Sequence, residues 1–501
     1  MEKGRETERL MPFGQCLRQI LKEKRISASA LSRMMENKSR NSLFRILEGS
    51  TSPATQEAFF HRLVRGNWLS LTKAQQQMLR ESLEVSRLGV EGYRSNQAMR
   101  KMLRDVDEQR ARRPIDLESA DRGACGTFDR QLEQYARCRA VSMTLIGCCD
   151  REICAAIADG LLHGRGGCRV KITHYLYTGG DAIIRAVAAI QPLLYAPCYE
   201  AYCVEPCMFS AEREQTYRAN SLIVRWEDHS GQTHLHMFLL VDRNRLLMMD
   251  RCGEQAISLM ERMWRADRAQ MHPLKSAFAL RHSPEDYLAY TEAFCELERG
   301  RAIYTVKMDM CLAFISTKTL VAPVVDGFTE TGFAGQEGLE GLIRAFAQIH
   351  QRRFENLFTK KKPTHTIFSV GAMEAFARTG KQSDHFFAMR PYTPQERVDM
   401  LRHIQKHTAE NPSFKVHFFK DSFDPPKTEI SLYEGSGALI LRPYTNYDLS
   451  GDHAEALITQ SAFCEKYKEF FIGDLLARHV LTQEETLSTL ERLIALAAAQ
   501  A

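Results

Sequence analysis

FGQCLRQILKEKRISASALSRMMENKSRNSLFRILEGSTSPATQEAFFHRLV, residues 13–64, carries four short apolar periods separated by helix start and stop signals. Phe13, Leu17, Ile20 and Leu21 recur at helical spacing while Arg18, Lys22, Lys24 and Arg25 fall mostly on the opposite face. This predicts an amphipathic first helix that ends near Arg25. Ser27 then stands at an N-cap position, with Ile26 before it and Leu31 four residues on, the spacing of a hydrophobic staple. A second helix is expected from Ala28 to Met35, burying Leu31, Met34 and Met35. After a polar turn of Glu36, Asn37 and Lys38, Ser39 caps a third helix that buries Leu43, Ile46 and Leu47 and stops at Gly49. Ser52 and Pro53 supply the N-cap and first turn of a fourth, whose Phe59, Phe60, Leu63 and Val64 close the small core.

The outer face of the third helix is left with Ser39, Arg40, Asn41, Ser42, Phe44 and Arg45. An Arg can grip guanine with two hydrogen bonds, an Asn can do the same for adenine, and an aromatic edge suits the thymine methyl. In helix order and spacing the segment resembles the lambda-repressor-like (XRE family) helix-turn-helix domains. It differs from their pattern at Ala28, where a phosphate-clamping Gln is usual, and in a turn with Glu36 and Asn37 in place of Gly. The resemblance implies a third helix seated in the major groove, double-stranded DNA as partner, and a homodimer that reads two half-sites. The alternative is a helical bundle that docks protein.

Charge divides the chain in the same place. Residues 1–115 hold 23 Lys and Arg against 13 Asp and Glu, a net +10; with +5 for the whole chain, the remainder carries −5. A phosphate backbone favours such a basic end through counterion release. At 501 residues and 44% hydrophobic content the chain is long and apolar enough for about three cores. No apolar run reaches the length of a membrane span, and Met1 to Leu10 is charged where a signal peptide would be apolar. The expectation is a cytoplasmic protein without membrane contact, whose 14 cysteines are mostly buried thiols.

The expected fold class is multidomain: an all-α helix-turn-helix domain (1–66), a helical connector or dimerisation segment (67–115), and a large α/β or α+β effector region in two halves (116–299 and 300–501). In the connector, Thr72 and Gln75 have capping-box spacing, and helices are expected up to Gly89 and over Ser95–Asp107. Arg110 to Thr127 reads as linker. Strands are expected at 141–146, 169–177, 221–227 and 233–250, the last broken near Asp242, and helices at 151–163 and after Asp181. The second half offers a helix at 284–299, strands at 302–315, 365–370, 414–419, 429–433 and 438–442, a helix started by Thr393, Pro394 and Glu396, and two terminal helices. One of these presents Phe463, Tyr467, Phe470 and Phe471; the other is capped by Thr482 and Glu485. The order of elements loosely resembles the duplicated phospholipase-D-like architecture. The catalytic pattern of that family is missing: His234 is followed by His236, no Lys holds the required place, and Asp242 is wrongly spaced.

Other chemistry is weaker. Cys198, Cys203 and Cys207, with Cys148 and Cys149, offer soft ligands, but their spacing matches no metal motif, and Tyr195, Tyr199, Tyr202 and Phe209 among them suggest a buried aromatic wall. His234 and His236 share a strand face; Gly164, Arg165, Gly166 and Gly167 read as a turn; Lys360, Lys361 and Lys362 read as a solvated loop. No catalytic residue, metal site or cofactor is assigned. The sequence thus points to a DNA-binding transcriptional regulator with a C-terminal region that senses a small-molecule or protein effector. The rivals are an enzyme of phosphodiester or nucleotide chemistry recruited to nucleic acid, and a scaffold whose N-terminal helices dock protein.

Overall fold

The computed structural model describes residues 10–35, 40–104, 114–119, 123–162, 168–180, 182–242, 245–249, 253–276, 284–308, 310–330, 339–359, 361–382, 390–424, 426–443 and 455–500. The chain forms two compact units, 1–98 and 99–501, in an α/β protein with two mixed sheets. Among the described residues no helix is long and apolar enough to cross a membrane.

The first unit is helical: α1 (Phe13–Glu23), α2 (Ala28–Met34), α3 (Arg40–Leu47), α4 (Pro53–Gly66) and the start of α5 (Lys73–Arg104). The expected caps are present. Ser27 accepts the Ala30 amide and Ser52 the Thr55 amide, while Thr72 and Gln75 exchange two bonds at 3.2 and 3.3 Å. Helix α5 leaves helical geometry at Gly89, where φ is 72° and ψ is 171°. A Cβ there is strained, which is why Gly stands at the break.

In the second unit, β1 (Asp116–Ser119), β2 (Gly123–Thr127) and α6 (Phe128–Ala136) lead into β3 (Ala140–Ile146), α7 (Arg151–Ile157), β4 (Arg169–Tyr177), α8 (Ala182–Leu194) and β5 (Tyr199–Val204). Helix α9 (Ala211–Tyr217), the meander β6 (Ser221–Glu227), β7 (Thr233–Asp242) and β8 (Arg245–Met249), helix α10 (Glu254–Asp267) and the short β9 (His272–Pro273) complete the first sheet, ordered β2-β1-β8-β7-β6-β3-β4-β5-β9. The second sheet opens with β10 (Lys275–Ser276), α11 (Pro284–Glu298), β11 (Ile303–Lys307), α12 (Thr317–Glu330), α13 (Leu339–Thr359), β12 (Thr364–Phe368), α14 (Val370–Thr379), α15 (Pro394–Glu410) and β13 (Phe414–Phe418). It closes with β14 (Thr428–Tyr433), β15 (Ala438–Pro443) and β16 (Ala456–Ile458), followed by α16 (Ser461–Phe470), a π-helical stretch Phe471–His479, and α17 (Gln483–Ala498). Its order is β10-β16-β15-β14-β11-β12-β13.

Six strands of each sheet share one plan. The first three run parallel (β3, β4, β5 and β11, β12, β13), joined by helical crossovers. The next three return antiparallel on the other side of the first strand. A short extended link ties the sheets: β9 pairs with β5 and β10 with β16. Within it, Lys275 donates to the carbonyls of Leu194 and Ala196, at 2.8 Å each, and burial pulls its pKa down to about 8.

Three expectations are corrected. The stretch 110–127 is not all linker, because residues 116–119 and 123–127 pair antiparallel, and Leu117 and Ser119 point inward from a strand whose other residues are acidic. Residues 302–315 do not form one strand. After Lys307 the amide of Met308 bonds to the Glu429 carboxylate at 3.0 Å, and Leu312–Phe314 forms a tight helical turn that wedges Phe314 against Phe358, Phe368 and Phe414. Val370 opens α14 and does not extend β12. The helix expected over 151–163 runs in α-form to Ile157 and in π-form to Leu162. Asp181, the turn residues Arg243 and Asn244, and Asp107 lie outside the described residues.

Several histidines are held neutral by this core. Burial lowers the pKa of His174, which shares a 2.9 Å bond with Tyr199, to about 3, and those of His403, His417 and His479 to about 4. A histidine whose folded pKa lies below its unfolded value, about 6.5, contributes stability that is complete above that value and is lost as pH falls toward the folded pKa. We therefore expect the urea midpoint of the full chain to be flat above about pH 7 and to fall between about pH 6.5 and 4, with unfolding taking up more than one proton per molecule. A midpoint unchanged down to about pH 4.5 would show these histidines to be solvated.

Candidate nucleic-acid interface

The N-terminal helices are organised around Phe13, whose ring meets those of Phe59 and Phe60 edge-on at 6.4 Å and whose amide donates to Ser86 at 2.7 Å. Leu17, Ile20, Leu31, Leu43 and Leu63 fill the rest of the core. Two helix ends are closed by the same device. At α1, Ile26 bonds back to Leu21 and Arg25 to Lys22, with Arg25 at φ 56°. At α3, Ser50 bonds back to Arg45 and Gly49 to Ile46, with Gly49 at φ 75°. These are Schellman closures, and they fix where each helix stops.

Gly14 sets the approach of α1 to α3. A Cβ at this position would press on the carbonyl oxygens of Ile46 and Leu47, so the two helices touch backbone to backbone. Arg62 of α4 donates to the carbonyl of Met35, holding the end of α2. Neither residue stood out in the sequence, because a Gly inside a helical period and an Arg on a polar face have no local signal of a distant partner.

With Leu43, Ile46 and Leu47 buried, α3 turns Asn41, Ser42, Phe44 and Arg45 to solvent. Phe44 is 44% exposed. Arg40 opens the helix; Ser39 and the turn of Glu36, Asn37 and Lys38 lie outside the described residues. One expected core residue is corrected: Met34 is 47% exposed whereas Met35 is 1% exposed. Leu31 and Met35 stand four apart and share the inward face of the short α2, which leaves Met34 on its flank.

The other sequence candidates meet structural partners. His234 bonds to Asp228 at 3.1 Å, and His236 to the Tyr135 hydroxyl at 2.6 Å. The ring of Trp226 lies against both. Hydrogen bonds from Ser230 and then His234 hold Asp228 well below the usual carboxylate range. Asp242 lies at the far end of β7, facing Arg245. Burial pushes the thiols of Cys149 and Cys203 up to about 12 and raises those of Cys148 and Cys198, which disfavours the thiolate needed for metal binding or redox attack. Cys207 is exposed. No group of three or more His, Cys, Asp or Glu able to hold a metal occurs among the described residues. Lys361 and Lys362 are exposed, while Lys360 and the run Gly164, Arg165, Gly166 and Gly167 fall outside the described residues.

No protein-family model matches the chain, and none of the curated proteins matches it.

Because the α1–α3 contact leaves no room at Gly14, Gly14→Ala should destabilise the first unit by about 1–3 kcal/mol. Thermal unfolding read through this unit checks it; a midpoint equal to that of the parent would mean that the helices lie further apart.

Proposed function

We propose that the protein is a sequence-specific, homodimeric, DNA-binding transcriptional regulator of the XRE type, whose larger C-terminal unit senses an effector and carries no catalysis. The observation that carries this reading is the two-faced α3: Leu43, Ile46 and Leu47 are locked in the core while Asn41, Ser42, Phe44 and Arg45 face outward. This is the mix of donors and one aromatic that base edges reward. Two further observations support it. The basic excess of +10 lies in residues 1–115, where phosphates would be met. The histidines on which phosphodiester chemistry would depend are bonded to Tyr135 and Asp228 on a sheet face.

Regulation would follow from population shift. An effector that binds the C-terminal unit differently in two arrangements of the dimer alters the spacing of its reading helices and so its affinity for two half-sites.

Full-length protein should prefer the duplex upstream of its own gene over a scrambled one, with log affinity falling linearly in log salt. Arg45→Ala should cost about 1–3 kcal/mol of discrimination, and Arg40→Ala combined with Arg45→Ala should abolish the preference. Equal, weak binding to both duplexes, unchanged by the substitutions, would overturn the assignment of α3 as the reading helix.

A further inference from the structure

Helix α5 has one end built into each compact unit. Its first turns belong to the core of the first, where Leu79 is buried and Ser86 accepts the Phe13 amide. Its last turns, residues 99–104, belong to the second. There Met99, Met102 and Leu103 are buried. Gln191 of α8 donates to the Met102 carbonyl, and the Lys427 amide, just ahead of β14, donates to that of Leu103. Both halves of the second unit thus close the carboxyl end of one helix, whose last carbonyls lack partners within the helix itself. Arg104 adds an ion pair with Asp424 at 3.3 Å and lies over the Phe423 ring.

The strongest hold on this end is Arg100. Its guanidinium donates to the Asp474 carboxylate at 2.9, 2.9 and 3.0 Å, and the two side chains are 9% and 1% exposed. His479 stands 3.7 Å from the same carboxylate, but burial holds its ring neutral, so Arg100 supplies the charge that balances Asp474. Asp474 is not on an ordinary helix. Phe471–His479 is π-helical over nine residues, whereas most π-helices are single turns, and they recur at functional sites. A π-helix closes its hydrogen bonds over five residues where an α-helix uses four. A return to α-form therefore turns the side chains of the stretch about its axis and carries Asp474 away from Arg100. The ion pair favours the π-form over the α-form that the preceding α16 adopts.

We infer that Arg100 and Asp474 form a latch. Closed, it holds the end of α5 in the second unit and keeps Phe471–His479 in π-form. Open, it releases the last turns of α5 and lets the stretch return to α-form. The break at Gly89, where φ is 72°, lies between the two anchored ends of α5 and serves as its hinge. An effector acts on such a device by binding one position of the latch more tightly than the other. The inference deepens the regulator reading by naming the element that carries the signal, and only the effect on DNA rests on that reading.

The test is hydrogen exchange of the full chain, followed by mass spectrometry without DNA, in the parent, Arg100→Met, Asp474→Asn and the double variant. Each single variant should speed exchange about tenfold or more in residues 90–104 and 471–479 together, with Ile303–Lys307 and Thr428–Tyr433 unchanged. The double variant leaves no buried charge without its counterion; it should open the same two segments, and by no more than either single variant, because two partners in one interaction are not additive. The inference is overturned if each substitution loosens only its own segment, if the two losses add, or if the strands loosen equally in the double variant. A second arm adds the duplex upstream of the gene. Bound DNA should change exchange in 471–479 severalfold in the parent and not in the double variant; bound DNA that leaves this stretch unaltered in the parent would also overturn the latch. If no duplex is bound, the regulator reading falls while the first arm still decides the latch.

Discussion

Each sheet depends on one strand having different neighbours on its two sides. β3 pairs parallel with β4 and antiparallel with β6, and β11 pairs parallel with β12 and antiparallel with β14. A parallel neighbour requires a crossover, which brings helices over the sheet, whereas an antiparallel neighbour within a meander needs only a turn. The chain therefore leaves β3 and β11 in one direction with helices and returns on the other side with hairpins. At such a switch the connections diverge beyond the carboxyl end of the strand and open a crevice.

The two halves fill this equivalent place differently. At the end of β3, Ile146 lies in a cluster with Tyr175, Val204, Tyr217, Ile223 and Trp264, and the aromatic rings of Tyr175, Tyr217 and Trp264 sit about 6 Å apart. The polar groups at its rim are paired outward, as when Arg268 lies over Tyr175 and Tyr202. At the end of β11 stands Lys307, bonded to Glu429, and on the same sheet lie the buried hydroxyl residues Thr305, Thr366 and Ser431 in one row. One topology thus supports a closed aromatic core in one half and a polar interior in the other.

Local signals made part of this legible. The caps at Ser27, Ser52, Thr72, Thr393 and Thr482 depend on residues three positions apart, and the strands Arg169–Tyr177 and Ser221–Glu227 on unbroken runs of strand-forming residues, so both can be read from the chain alone. The α/β class and the split of the long hairpin near Asp242 follow from the same periodicities. Helix α12 is different: Pro323 and Gly327 read locally as breakers, yet the burial of Leu320 and Val324 holds the segment helical. Strand β5 is hidden in a similar way, because Tyr199, Tyr202 and Cys203 suggest chemistry while its pairing to β4 is what places them. The polar interior of the second half was out of reach altogether. Thr305, Thr366 and Ser431 are ordinary strand residues until register sets them side by side, and Glu298 and Arg353 become one feature only when α11 and α13 pack.

The comparison between halves also bears on why the polar interior persists. Replacing buried ion pairs with well-packed apolar side chains is often neutral or stabilising, and the aromatic cluster at the end of β3 is a working example of that replacement within the same strand plan. The second half instead keeps Lys307, Arg353 and Arg442 inside, each paired with a carboxylate, and an unpartnered hydroxyl at Thr364. Removing one partner of such a pair would cost more than replacing both, because it would leave the other charge buried without its counterion.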